Sequence, residues 1–218
     1  MFRAILFTQW KWARLPLLLG IVAAFGLPLV VVQPLPSLFA EDAGASLAIE
    51  FMASFGPMFP LLATLLGLIL AVSAWAADHA GHHVYALSLP LPRWQLVLYR
   101  LGSGLTLLAL PLLALWFGAL LATSIIDLPA GVRAYPSLLG LRFALATLVA
   151  FALFFSISAG TTRTAGVVLG TIVGMLLAQW ALALVDSDVN LLGTLFDVLF
   201  VWPGPLDIFS GRWMLIDV

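Results

Sequence analysis

The chain has no cysteine, one lysine, three histidines and little charge of either sign. Each shortage excludes something. Without cysteine there is no disulfide framework, no thiolate-bound metal and no thiol catalysis. The single lysine, Lys11, lies in QWKWAR, so a phosphate-cradling G-x-x-x-x-G-K-[ST] loop is impossible in this chain. Neither a G-x-S-x-G elbow nor an H-E-x-x-H helix occurs, and no catalytic residue is assigned. Charged residues make up 9% of the 218 positions, against about 25% in a soluble domain. So few charges cannot cover a water-exposed surface. The net charge of −1 offers nothing to a nucleic-acid backbone.

What the chain does have is apolar sequence. Hydrophobic residues are 63% of it and the mean hydropathy is +1.16, where soluble domains carry about 45–50% apolar residues. The apolar runs are long and unbroken, whereas barrel strands would alternate polar with apolar. The expectation is an all-α, polytopic helical membrane protein. A span needs about 20 apolar residues. Five runs qualify: 15–32, 57–77, 101–126, 138–159 and 165–185. The second begins near Pro57, after a short interfacial helix at 47–55. Residues 191–203 are too short to cross and carry Asp197, so they read as interfacial or re-entrant, within an extracytoplasmic segment 186–218.

The charges sort by side. Arg3, Lys11, Arg14, Arg93, Arg100 and Arg163 fall on one side of these runs, with Asp78 as the acid among them. Glu41, Asp42, Glu50, Asp127, Asp186 and Asp188 fall on the other, with Arg133 and Arg142. Basic residues in short loops mark the cytoplasmic face, so the N-terminus is expected inside a cell (plasma or inner) membrane. Arg142, near the outer end of its span, is expected to snorkel to the interface. Residues 1–14 read as an interfacial elbow helix with Arg3, Phe7, Lys11 and Arg14 on one stripe and Phe2, Ile5, Leu6, Trp12 and Ala13 on the other. The competing reading is a plain cytoplasmic extension of the first span. No small-residue cleavage site follows, so it is not read as a removable signal peptide.

Polar residues inside the spans, such as Thr64, Ser73, Thr106, Ser156, Ser158, Thr171 and Gln179, are expected to bond to helix backbone. Gly166, Gly170 and Gly174 form two overlapping G-x-x-x-G steps, a seam for a homodimer or for internal packing. Pro111 is expected to kink the third span. The dense polar cluster is Asp78-His79-Ala80-Gly81-His82-His83. His79 and His83 would share a helix face and could ligate Zn²⁺ or Cu²⁺, but the ligand set is incomplete, so no metal site is assigned.

Residues 77–101, ADHAGHHVYALSLPLPRWQLVLYRL, resemble a pattern in type-2 ABC exporter permeases. There the loop after the second span holds a short helix, then an apolar residue, Pro, two residues and Arg, then an apolar stretch ending in Lys or Arg. Here these are Leu89, Pro90, Arg93, Leu96, Val97, Leu98 and Arg100. FTQWKWAR is similar to the family's elbow helix, and VWPGPLDIFSGRW to the outer helices before its sixth span. The resemblance implies six spans, so the chain is expected to lack a last one. It also implies a cytoplasmic coupling loop at 78–100, with Asp78, His79, His82, His83, Tyr85 and Arg93 meeting the partner. That partner would be a separate cytoplasmic ABC ATPase carrying ATP and Mg, with no cofactor in this chain. The other expected associates are a second permease copy or paralogue and the lipid bilayer, not nucleic acid. Competing functions are metal handling by His79, His82 and His83, or a membrane scaffold without transport. The apolar lining points to a lipid-like, peptide or amphipathic cargo.

Overall fold

The computed structural model describes residues 1–35, 44–80, 92–126, 132–160, 162–184 and 190–217. Seven α-helices lie among them. These are α1 (Phe2–Val32), α2 (Gly44–Phe55), α3 (Met58–Ala80), α4 (Arg93–Ile125), α5 (Pro136–Ser158), α6 (Thr162–Leu184) and α7 (Leu191–Phe200). The remaining regular pieces are short. A 3-10 turn covers Asp207–Phe209, and β1 (Arg133–Ala134) pairs antiparallel with β2 (Ile216–Asp217), Ala134 opposite Ile216. The architecture is that of an all-α membrane protein. Four stretches among the described residues are long and apolar enough to cross a bilayer: Phe2–Val32, Glu50–Ala76, Arg93–Ile125 and Pro136–Ser158. The fifth expected span falls on α6, a helix of 23 residues.

The chain forms two compact units. One contains Met1–Phe155 with Arg212–Val218, the other Ser156–Gly211. In the first, α1 packs along both α3 and α4, which also touch each other. Helix spacing there is set by single small residues rather than by hydrophobic force, since lipid is as apolar as leucine. A Cβ on Gly67 of α3 would lie 2.7 Å from both Ala150 Cβ and Phe151 N of α5. At Gly118 of α4 it would collide with the Phe25 carbonyl of α1, and at Gly20 of α1 with the Leu66 side chain. The Gly67 and Gly118 contacts need glycine because they are with backbone, whereas the Leu66 side chain can turn aside.

Residues 1–14 do not form a separate elbow. They are the opening turns of α1, which runs 31 residues without a break and contains Pro16 and Pro28. The reason is the packing stripe. Gln9, Ala13, Leu17, Gly20, Ala24, Pro28 and Val31 are all buried, a three- and four-residue repeat that continues one helix face through the expected boundary. Trp12, assigned to the apolar stripe, is exposed, while Arg3, Lys11 and Arg14 are exposed as expected. The extension of the first span is therefore the reading that matches. At 1.5 Å per residue α1 is about 46 Å long, enough to cross the hydrocarbon core and both headgroup layers, about 40–45 Å. Likewise Pro111 sits buried inside an uninterrupted α4.

In the second unit α6 packs on α7. Gln179 Oε1 of α6 accepts from the backbone N–H groups of Leu191 (2.7 Å) and Leu192 (3.3 Å). Asn190 Oδ1 accepts from Gly193 N at 2.8 Å. The start of α7 thus has its free amides satisfied by one cap of its own and one side chain from α6.

Candidate functional site

The first unit contains a buried polar layer at the end that carries Arg3, Lys11 and Arg14. It is assembled from sequence positions almost a hundred residues apart. Gln9 of α1 is buried; its Nε2 donates to the Leu70 carbonyl of α3 at 3.2 Å. The same carbonyl accepts from Ser73 Oγ at 2.8 Å. Ser103 Oγ of α4 donates to Gln9 Oε1, with the Arg100 carbonyl 2.9 Å away as its other acceptor. One glutamine therefore ties three helices through its two ends. Glutamine suits this role because its amide carries donors and acceptors together.

Arg100 adds a second tie between α3 and α4. Its guanidinium lies 4.6 Å from the centre of the Trp75 ring, and only 5% of the residue is exposed. A cation over an indole face is held by the ring quadrupole, more strongly as water is removed. Trp75 in turn packs against Phe155, ring centres 5.3 Å apart, and Phe155 against Phe151 at 5.5 Å. A Cβ at Gly104 would run into the Phe151 ring. Trp75 Nε1 is buried and has no hydrogen-bond partner among the described residues. So α1, α3, α4 and α5 all meet in this layer.

Gln9 and Arg100 are each the eighth residue of their helices, so the layer lies about two turns from the starts of α1 and α4.

The expected site residues fall as follows. Asp78 and His79 lie in the last turn of α3, and Arg93 is the first residue of α4 and is exposed. His82, His83 and Tyr85 lie outside the described residues. Arg93 and Arg100, seven residues apart in α4, have different surroundings: Arg93 is exposed and Arg100 is buried. No group of three His, Asp or Glu residues close enough to hold a metal occurs among the described residues, and most of the histidine cluster lies outside them. Gly166, Gly170 and Gly174 are in α6, and a Cβ at Gly170 or Gly174 would meet nothing within 4 Å.

Four of the hydroxyls expected to bond to helix backbone do so, Ser73 among them. Thr64 donates to Pro60 O (2.7 Å), Thr106 to Gly102 O (2.8 Å) and Thr171 to Val167 O (2.9 Å). Sequence reasoning passed over Gln9 and Trp75. The available signal was that Gln9, one turn before Ala13 and two before Leu17, shares their face. Comparison of the chain with protein-family models, with curated proteins and with solved structures finds no match.

Proposed function

We propose that the chain is a permease subunit of an ABC exporter, working with a second permease copy and a separate cytoplasmic ATPase that holds ATP and Mg. The observation that carries this reading is the stretch 85–101, with its Leu-Pro-x-x-Arg step and the basic residue seven positions on. The geometry around that stretch is what such a role requires. The loop leaves from the end of α3 and returns at Arg93, and its two stems are held together by Arg100 over Trp75. Gln9 adds α1 to the same body. A force applied to the loop would move three helices together rather than bend one.

In this mechanism the ATPase contacts the residues from Asp78 to Tyr85, with His79, His82, His83 and Tyr85 offering aromatic bodies and polar tips to an interface. Closure of the ATPase dimer on ATP changes how tightly that contact binds, and this differential shifts the spans from inward-open to outward-open. Five helical runs cross the membrane in this reading, with the N-terminus inside, and the cargo is lipid-like, peptide or amphipathic.

Copurification from solubilised membranes tests the partner directly. A nucleotide-binding chain without spans should be retained, and alanine at His79, His82, His83 and Tyr85 should release it while membrane insertion is unchanged. Unaltered retention and unaltered ATPase stimulation in that variant would remove the coupling assignment.

A further inference from the structure

Residues 212–217 form a strap across the end of the first unit opposite the Gln9 layer. Trp213 is 3% exposed and Ile216 is fully buried. The Trp213 ring stacks on Phe59 at the start of α3, centres 6.2 Å apart and planes within 5°. On its other contact the Arg142 guanidinium of α5 lies 4.7 Å from the ring centre. It also donates from Nη1 to the Arg212 carbonyl at 2.5 Å. Tyr135 N donates to Leu215 O at 2.8 Å, and Ala134 pairs with Ile216.

We propose that this strap is a releasable latch that holds the outer ends of α3 and α5 together and lets go when the permease turns outward. The inference rests on the permease reading above. Three features make it a latch rather than a permanent seam. Among the described residues the ladder is two residues long, so few backbone bonds hold it. Trp213 touches both α3 and α5 through its ring, so withdrawal of one residue removes the Phe59 and Arg142 ring contacts together at this end. Gly211, directly before the strap, sits at φ 77°, a left-handed conformation that gives the chain a pivot other residues rarely supply. The opposite end, by contrast, is fastened by side chains from four helices.

The absence of cysteine makes the test clean. Ala134→Cys with Ile216→Cys places the only two thiols of the chain across the ladder. Copper-phenanthroline oxidation of the variant in membranes, with its copurifying ATPase, is followed by maleimide gel shift. The disulfide should form readily without nucleotide. With Mg-ATP and vanadate its rate should fall about tenfold, as when a mostly closed two-state element becomes mostly open. Trp213→Ala in the same background should slow the nucleotide-free reaction, and Trp213→Phe should restore it. Failure to cross-link at rest, or equal rates with and without nucleotide, overturns the latch while leaving the permease reading intact. Failure to retain any ATPase overturns the permease reading and the ATP-driven release together, and the resting cross-link tells the two failures apart.

Discussion

The guanidinium of Arg100 lies 4.6 Å above the indole of Trp75, joining the two stems of the loop between α3 and α4. Arginine is suited to this stacked, largely dehydrated position in a way lysine is not, because its planar cation is weakly hydrated and lies flat on a ring. Replacing Arg100 with Leu should lower stability in detergent by about 1–2 kcal/mol. Arg100→Lys should recover only part of it. Thermal unfolding of the purified variants reads the difference, and equal midpoints for all three proteins would show that the stack contributes nothing.

Trp75 itself makes a sharper prediction. Its ring face is used by Arg100 and Phe155, but its buried Nε1 has no partner among the described residues. A buried donor without an acceptor is a cost of about 1–3 kcal/mol. Trp75→Phe keeps a ring and removes that donor, so its net effect should be small, within about 1.5 kcal/mol. Trp75→Ala should lose about 3–5 kcal/mol through the cavity it leaves. A Phe variant as damaged as the Ala variant would mean that the indole nitrogen matters.

Gln9 and Ser103 should behave as one unit. Gln9→Leu removes both of its bonds, and Ser103→Ala leaves Gln9 Oε1 without its donor. The double variant should therefore be less unstable than the sum of the singles, with a coupling of about 1 kcal/mol. A coupling near zero would mean that solvent replaces the bond without loss.

Glycine positions separate close helix approach from open surface. Gly67→Ala forces a Cβ to 2.7 Å from the backbone nitrogen of Phe151, and Gly118→Ala forces one onto the Phe25 carbonyl. Backbone cannot step aside, so each should cost about 1–3 kcal/mol. Gly26 has nothing within 4 Å of the same added atom, and Gly26→Ala should be neutral or slightly stabilising by helix propensity. Detergent melts of the three variants check the order.

The helices were legible because burial in lipid demands long apolar runs with internally bonded backbone, but the starts of α1 and α4 lie earlier than the apolar runs, at Phe2 and Arg93. The start of α3 after Pro57, the short helix before it and α7 all followed from breaks in that pattern. The packed faces were not legible from hydrophobicity, because a span is apolar toward lipid and toward protein alike. The helix faces that bury Gln9 and Gly118 differ from the exposed ones in residue size instead. Gly20 with Ala24 and Gly118 with Ala122 carry the four-residue spacing of small side chains that marks a close crossing. The elbow expectation failed for a related reason. Arg3, Lys11 and Arg14 mark an interfacial depth, and depth alone does not say whether a helix lies in the interface or stands across it. The strap at 212–217 had no signal beyond a tryptophan, since a two-residue ladder has no period to detect.

The glycines of α6 present the reverse case, an obvious pattern with an open space beside it. Gly170 and Gly174 are four residues apart, and a side chain at either would touch nothing within 4 Å of its Cβ. Two outcomes separate a seam between copies from a lipid-facing surface. If a second copy packs there, Gly174→Leu should push the helices apart and cut the dimer fraction sharply, because close backbone approach is what small residues permit. The protomer's own melting should change little, since no described residue lies within 4 Å of the added Cβ. Sedimentation in detergent, or single-molecule counting in vesicles, measures the dimer fraction independently of stability. A dimer that survives both Gly170→Leu and Gly174→Leu would assign this face to lipid, and would place the contact between copies elsewhere.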